Sequence, residues 1–188
     1  GFELLMVKLD AVRASYGEAY NPPTIYQLYK AWTYVSGSKT TQYNPNPDLK
    51  PEKSKSWECG ADISFMDKTF ILSGTYFGSI ITDMLYSKVD TVSSTLSTST
   101  PSNAGKGKIQ GYELETKLYL LEYFELYGNM TYTKTEITKN SADPKSEGKQ
   151  FTNVPKMMYN AGIKAIFSKA EGCLNWRYAD HVYAKSDN

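Results

Sequence analysis

The sequence predicts an all-β fold, an antiparallel up-and-down meander of about seven strands, and three observations carry that prediction. Alternation of apolar and polar residues with period two recurs along the whole 188-residue chain, whereas helical periodicity is scarce. The connections between the alternating segments are short and long by turns. Aromatic residues (16 Tyr, 7 Phe and 3 Trp) make up 14% of the chain and gather beside the short turns.

The elements follow in order. Leu9 to Tyr16 sets Val12, Ala14 and Tyr16 on one face and Arg13 and Ser15 on the other. Trp57, Cys59, Ala61, Ile63 and Phe65 alternate with Glu58, Gly60, Asp62 and Ser64. Phe70 to Leu85 is strand-like, with a change of parity near Gly78 that suggests a bulge. Tyr112 to Leu118 alternates with Glu113, Glu115 and Lys117, and Phe124 to Tyr132 with Glu125, Asn129 and Thr131. Met157 to Phe167 and Leu174 to Tyr178 complete the set.

Alternation alone also fits a half-buried strand of a soluble sandwich. The connections decide. Met66-Asp67-Lys68, Leu121-Glu122 and Ser168 to Gly172 are short, whereas Gly17 to Lys50, Tyr86 to Ala104 and Lys139 to Lys149 are long. Strict alternation of this kind belongs to a transmembrane β-barrel with short periplasmic turns and long extracellular loops. Phe65, Phe70, Tyr119, Tyr123, Phe124 and Phe167 beside the short turns match the aromatic girdle at a membrane interface. Several strands exceed the ~9–11 residues needed to cross a bilayer and would project on the long-loop side.

The long connections differ in kind. Thr91 to Ser102 reads as a low-complexity polar loop facing solvent, and Lys139 to Lys149 as a charged loop punctuated by Asp143-Pro144 and Gly148. Gly17 to Lys50 holds Pro22-Pro23, a short helix through Tyr26 to Tyr29, and then Trp32, Tyr34 and Tyr43. Tyrosine and tryptophan suit a ligand that is partly apolar and partly polar. Tyr20, Tyr26, Tyr29, Trp32, Tyr34 and Tyr43 are therefore candidate substrate contacts, and a self-packed loop explains them equally well.

Composition removes other classes. Lys+Arg 21 against Asp+Glu 20 leaves a net charge of +1, which offers no field for holding nucleic acid. No uncharged apolar run reaches the length of a spanning helix, and residues 1–8 lack the apolar core of a signal peptide. Cys59 and Cys173 stand far apart without a Cys-x-x-Cys pair, so neither a metal site nor a cofactor is expected. Both are expected on the lipid-facing side of non-adjacent strands as free thiols. His181 is the single histidine, a loop residue, and the adjacent Asp180 is not placed to orient it as a triad requires. No catalytic residue is assigned and an enzyme is not expected. Asn129-Met130-Thr131 lies inside a strand, which makes its match to a glycosylation pattern incidental.

Four segments then resemble the C-terminal barrel region of TonB-dependent outer-membrane receptors, in the order that family uses. Arg13 to Tyr29 (RASYGEAYNPPTIYQLY) is similar to its strand-plus-"FRAP" segment. Asn46-Pro47-Asp48-Leu49-Lys50-Pro51-Glu52, followed by Ser54, Glu58 and Gly60, resembles its "NPNL"-type box. Gly107-Lys108-Ile109-Gln110-Gly111-Tyr112-Glu113-Leu114-Glu115 and Asn153-Val154-Pro155-Lys156 resemble later strand starts. Most of these residues also have plain structural roles. Pro51 and Pro155 precede strands, Gly60 and Gly111 admit close approach to the inner wall, and Glu58, Glu113 and Glu115 face the lumen.

The resemblance implies that residues 1–188 are part of a 22-stranded barrel domain, without the plug domain and the remaining strands. It implies a receptor and transporter in the Gram-negative cell outer membrane, importing a scarce nutrient, most often a ferric siderophore or similar metal chelate. The implied partners are the TonB complex, the plug domain, the chelate ligand and outer-membrane lipid. A histidine of the haem-receptor kind is missing between Thr24 and Tyr43. The competing accounts are a water-soluble β-rich adhesive or carbohydrate-binding module, and an outer-membrane hydrolase relying on His181.

Overall fold

The computed structural model describes residues 7–121, 123–167 and 170–185. The strands are β1 (Val7–Asn21), β2 (Trp32–Ser36), β3 (Lys39–Tyr43), β4 (Glu52–Phe65), β5 (Phe70–Thr91), β6 (Leu96–Leu120), β7 (Phe124–Asn140), β8 (Met157–Phe167) and β9 (Ala170–Ala179). A short helix α1 (Ile25–Tyr29) precedes β2, and a single 3-10 turn spans Pro144–Ser146. Seven strands form an antiparallel meander in the order β1-β4-β5-β6-β7-β8-β9. This is the predicted architecture, with the sheet open at β1 and β9. Leu121 and the residues flanking Glu122 lie in the second short turn; Glu122 itself, Ser168 and Lys169 fall outside the described residues.

Three local readings change. The segment Thr91 to Ser102 is not a loop: β5 and β6 run 22 and 25 residues and pair up to Thr91↔Ser97, leaving only the tip unpaired. Serine and threonine pair as readily as apolar residues once both strands leave the membrane together, so a polar sequence hid a strand. The bulge lies between Ile81 and Met84, where Asp83 takes a φ of 58°, and the register runs unbroken through Gly78. The first long connection contains the β2–β3 hairpin, and β3 continues the sheet by pairing parallel with the upper part of β6.

The pairings sort side chains onto two faces. On one lie the rows Val12–Ala61–Gly74–Leu114–Met130–Tyr159–Tyr178 and Leu9–Ile63–Leu72–Thr116–Gly128–Ala161–Trp176. On the other lie Arg13–Gly60–Thr75–Glu113–Thr131 and Asp62–Ser73–Glu115–Asn129–Asn160–Arg177. Cys173 pairs with Lys164, which pairs with Glu125, so it sits on the charged face. That corrects its expected lipid-facing position; Cys59, paired with Ala14 and Tyr76, is on the apolar face.

Aromatic residues bound the apolar face at both ends. Trp57 and Phe65 on β4, Tyr132 and Phe124 on β7, and Tyr159 and Phe167 on β8 are each eight residues apart. Eight residues span about 26 Å of strand, or roughly 20 Å of height at a tilt near 40°, close to the apolar band of a membrane barrel. Tyr132 pairs with Met157 and Phe124 with Ala165, so both aromatics of β8 lie two residues nearer the short turns. The two girdles step along the register together, as level rings must on tilted strands. Phe65 and Phe70 are 5.4 Å apart, and Phe124 meets Phe167 edge-on at 6.1 Å.

Glycines accommodate rings from neighbouring strands. Gly78 lies opposite Trp57, Gly111 opposite Phe77, and Gly162 opposite Tyr127. A Cβ at any of the three would sit 2.5 Å from the facing ring. Gly111 therefore makes room within the wall itself, for the Phe77 ring and the β7 backbone. Gly60 does the same, since its Cβ would meet Gly74 O at 2.7 Å and Thr75 Oγ1 at 2.8 Å.

Among the described residues the buried hydrophobics are Leu49, Ala104 and Ile137, all at the long-loop end. Between the girdles there is no core. The apolar side chains there point outward: Leu174 is 71% exposed and Val12 73%.

Candidate functional site

The long-loop end is built by local sequence. Thr24, following Pro22-Pro23, caps α1: its Oγ1 accepts from Gln27 N at 3.3 Å, and its own N–H donates to Gln27 Oε1 at 2.8 Å. This reciprocal pair is the Thr-x-x-Gln capping box. Gly37-Ser38 closes the β2–β3 hairpin as a two-residue loop with Gly37 at a φ of 60°, a position that favours glycine. The hairpin's far end is closed by Trp32 and Tyr43, whose rings stack 3.9 Å apart at 3°.

The segment Asn46 to Glu52 clasps these pieces together. Asn46 N–H donates to Gln27 O at 2.8 Å and its Nδ2 to Pro101 O at 3.0 Å, tying α1 to β6. Asn103 Nδ2 donates to Lys50 O and to Asp83 O, each at 2.8 Å, and its Oδ1 accepts from Lys50 N at 2.8 Å. Glu52 accepts from Asn21 Nδ2 at 2.8 Å and from Leu85 N at 2.7 Å, joining β1 to β5. The peptide groups freed by the bulge at Asp83 are thereby satisfied, as buried polar groups require. Tyr86 lies in this packed region, and burial pushes its hydroxyl pKa up.

A cleft of about 190 Å³ opens beside the clasp, lined by Tyr26, Lys30, Trp32, Tyr43, Ser87 and Ser99 among others. Lys30 Nζ stands 4.5 Å over the Tyr26 ring. Three candidates are thus brought together: Tyr26, Trp32 and Tyr43. Tyr34 lies two residues along β2 from Trp32, on the same face, and is 56% exposed. Tyr29 is exposed at the end of α1 and does not line the cleft. Tyr20 is on β1, its hydroxyl 3.5 Å from Glu18. Lys30, Ser87 and Ser99 were missed because only the folded hairpins bring them to the aromatic pair.

The charged face carries a second cluster. Arg13 pairs with Asp62, and with Ser73, Thr75, Glu113 and Glu115 they line a hollow of about 380 Å³. A larger hollow of about 670 Å³ lies nearer the short turns between Glu115, Lys117, Glu125, Lys164 and Glu171. Glu113 and Glu115 share this face, as expected of lumen-facing residues. Asp180 and His181 differ from expectation, because Asp180 Oδ1 lies 2.8 Å from His181 Nδ1. The His181 amide, then its ring, hold the Asp180 carboxyl below the usual carboxylate range. The contact is a local turn closure, with the ring also edge-on to Tyr183 at 5.3 Å. Among the described residues, no group of three His, Cys, Asp or Glu is placed to hold a metal ion.

A sheet with one apolar face between two aromatic girdles, one charged face, and a structured crown beyond one girdle defines part of a membrane β-barrel receptor wall. The family described as "TonB dependent receptor-like, beta-barrel" matches residues 7–188, and the chain belongs to it. It is 27% identical over 128 residues to the probable TonB-dependent siderophore receptor PiuA of Acinetobacter baumannii, covering 63% of this chain and 16% of PiuA. Among solved structures it superposes on the copper transporter OprC with a TM-score of 0.62 and 15% identity, over 88% of this chain and 23% of that one. A variant of the ferric enterobactin receptor PfeA from Pseudomonas aeruginosa, in complex with enterobactin, gives 0.63 and 19%, over 82% and 23%. The chain thus spans about a sixth of the curated relative and a quarter of the structures. The water-soluble reading leaves the whole apolar face uncovered in water.

Proposed function

We propose that this chain forms part of a receptor in the Gram-negative outer membrane that imports a scarce nutrient as a metal chelate, with a ferric siderophore as the substrate class. The observation that carries the substrate class is the Trp32–Tyr43 stack beside Tyr26 and Lys30, in a cleft at the long-loop end. Flat aromatic faces next to a cation suit an anionic complex with an organic shell. At about 190 Å³ the cleft takes an edge of such a ligand, and other loops of the barrel would complete the site. The similarity to PiuA supports the same reading.

In this account the long-loop end is extracellular, the charged face lines the lumen against the plug domain, and the TonB complex supplies the energy for release. No catalytic step is assigned to the chain. The test is iron-limited growth of a strain that depends on the full-length receptor. Trp32→Ala with Tyr43→Ala should raise the ferric-chelate concentration for half-maximal growth about tenfold, on the scale of lost aromatic contacts. Trp32→Phe should restore most of it. Unchanged growth of the double variant, with receptor present at normal level, would remove the cleft from the ligand path.

A further inference from the structure

The cleft at the long-loop end takes its walls from three pieces of chain. Tyr26 and Lys30 come from α1 and its C-cap, Trp32 and Tyr43 from the far end of the hairpin, and Ser99 and Pro101 from β6. A single helical turn does not hold itself in water, and α1 buries no residue. Thr24 and Gln27 give it its shape, but its place against the other two walls has to come from outside the turn.

Asn46 supplies that place. Its N–H donates to Gln27 O at 2.8 Å, its Nδ2 donates to Pro101 O at 3.0 Å, and its Oδ1 accepts from Asp48 N at 3.0 Å. Gln27 and Pro101 line the cleft, whereas Asn46 does not. One half-buried residue thus joins α1 to β6, using its backbone for the first and its side chain for the second. The local sequence prepares it. Asn44-Pro45-Asn46-Pro47 sets each asparagine before a proline, which disfavours helical backbone there and keeps both extended. Asn44 N–H meets Ser99 O at 2.9 Å and fixes the hairpin to the same strand. The amide matters at Asn46 because aspartate is an acceptor on both oxygens. An aspartate of the same size would still close the turn to Asp48, but would face the Pro101 carbonyl acceptor to acceptor.

We infer that Asn46 is a positioning residue for chelate capture. Its side-chain amide sets the spacing of Tyr26 and Lys30 from the β6 wall, and with it the fraction of receptors whose cleft is assembled. The inference rests on the cleft being the ligand site, as given above. Apparent affinity falls with the competent fraction, while the onward movement of chelate already captured is untouched.

The test is uptake of iron-55 by cells carrying the full-length receptor. The metal is supplied as its complex with a catecholate (enterobactin), a hydroxamate (desferrioxamine) or citrate. For the complex taken up, Asn46→Asp should raise the half-saturating concentration about tenfold, the scale of an acceptor left unpaired, at an unchanged maximal rate. Asn46→Gln keeps a donor amide and should recover part of the loss. Asn103→Ala loosens the crown at the bulge without touching a bond to any wall of the cleft, so its half-saturation should stay near the wild type. Folding of each variant is read from its heat-modifiable gel mobility. Where Asn46→Asp does not fold, Asn46→Ala drops the same bond without adding charge and takes its place.

A folded Asn46 variant that half-saturates like the wild type overturns the inference. An equal rise in Asn103→Ala overturns it too, since general stability of the crown would then be the cause. The Trp32→Ala, Tyr43→Ala double variant separates the two readings. If it takes up chelate normally, or if the wild type takes up none of the three complexes, the receptor reading of the cleft falls and the positioning role falls with it. If it loses uptake while the Asn46 variant keeps it, the positioning role alone is wrong.

Discussion

The wall between the girdles and the crown beyond the outer one are made from the same strands but are held together differently. The wall buries no hydrophobic side chain among the described residues; its apolar residues face outward and its cohesion comes from the strand ladder. The crown has a small core of Leu49, Ala104 and Ile137, and side-chain hydrogen bonds close it. The difference follows the solvent. In hydrocarbon, every backbone group must be paired internally, and apolar side chains gain nothing by clustering. In water the same chain needs a core and caps of its own. Strands β5 and β6 pass from one regime to the other along their length.

The sharpest way to break this contrast is to place a charge on the wrong face. Ile163 stands midway between Tyr159 and Phe167 on the outward face, and Lys164 beside it points the other way. Ile163→Arg should destabilise the full-length barrel by about 2–4 kcal/mol, the scale for a cation at the bilayer midplane. Lys164→Ile should cost less than about 1 kcal/mol, because the lumen side is already polar. Urea unfolding in lipid vesicles reads both. Equal costs would mean that the faces have been assigned the wrong way round.

The crown should break at its clasp. Asn103→Ala removes three hydrogen bonds, two of them to carbonyls at the bulge and the β4 start. About 2–3 kcal/mol of local stability should go, at roughly 1 kcal/mol each. Hydrogen exchange at Lys50 and Leu85 should accelerate by about fifty-fold on that scale, while amides between the girdles keep their protection. Acceleration throughout the wall would mean that crown and wall unfold as one unit.

Close packing sharpens the picture at single glycines. A Cβ at Gly111 would meet Tyr132 O, a backbone atom, and the Phe77 ring, whereas at Gly172 it would meet nothing. Gly111→Ala should cost about 1–3 kcal/mol by overpacking, and Gly172→Ala should be near neutral. Similar costs at the two sites would show that both the Phe77 ring and the β7 backbone yield freely at Gly111.

The wall was largely legible in the sequence and the crown was not, for a physical reason. A strand between lipid and lumen must alternate residue by residue, so Trp57 to Phe65 and Met157 to Phe167 announce themselves. Beyond the girdles both faces meet water, alternation lapses, and Thr91 to Ser102 looks like loop although it is paired strand. Two crown signals were nevertheless present. Gly37-Ser38 between Trp32–Ser36 and Lys39–Tyr43 is a two-residue hairpin signature, and Thr24-x-x-Gln27 a capping box. The cleft was half legible, because the aromatic pair was visible but Lys30, Ser87 and Ser99 join it only through tertiary packing.

The smallest expected effect lies at the boundary between the regions. Glu18, two residues beyond Tyr16, accepts from the Tyr16 hydroxyl at 2.7 Å and pairs with Lys55 at 3.3 Å. The Tyr16 hydroxyl first, then Lys55, hold its carboxyl below the usual carboxylate range. A depressed folded pKa means that the stabilisation is complete above the unfolded value, near pH 4.3, and fades as pH falls through the folded one. The site is exposed, so the effect should be slight and should vanish in high salt. Side-chain NMR of Lys55 in the full-length receptor should shift as pH is lowered from 5 towards 3, and Glu18→Gln should abolish that shift. A Lys55 signal that titrates unchanged in Glu18→Gln would mean that another carboxylate holds the lysine, and that the boundary is set by the membrane surface rather than by this pair.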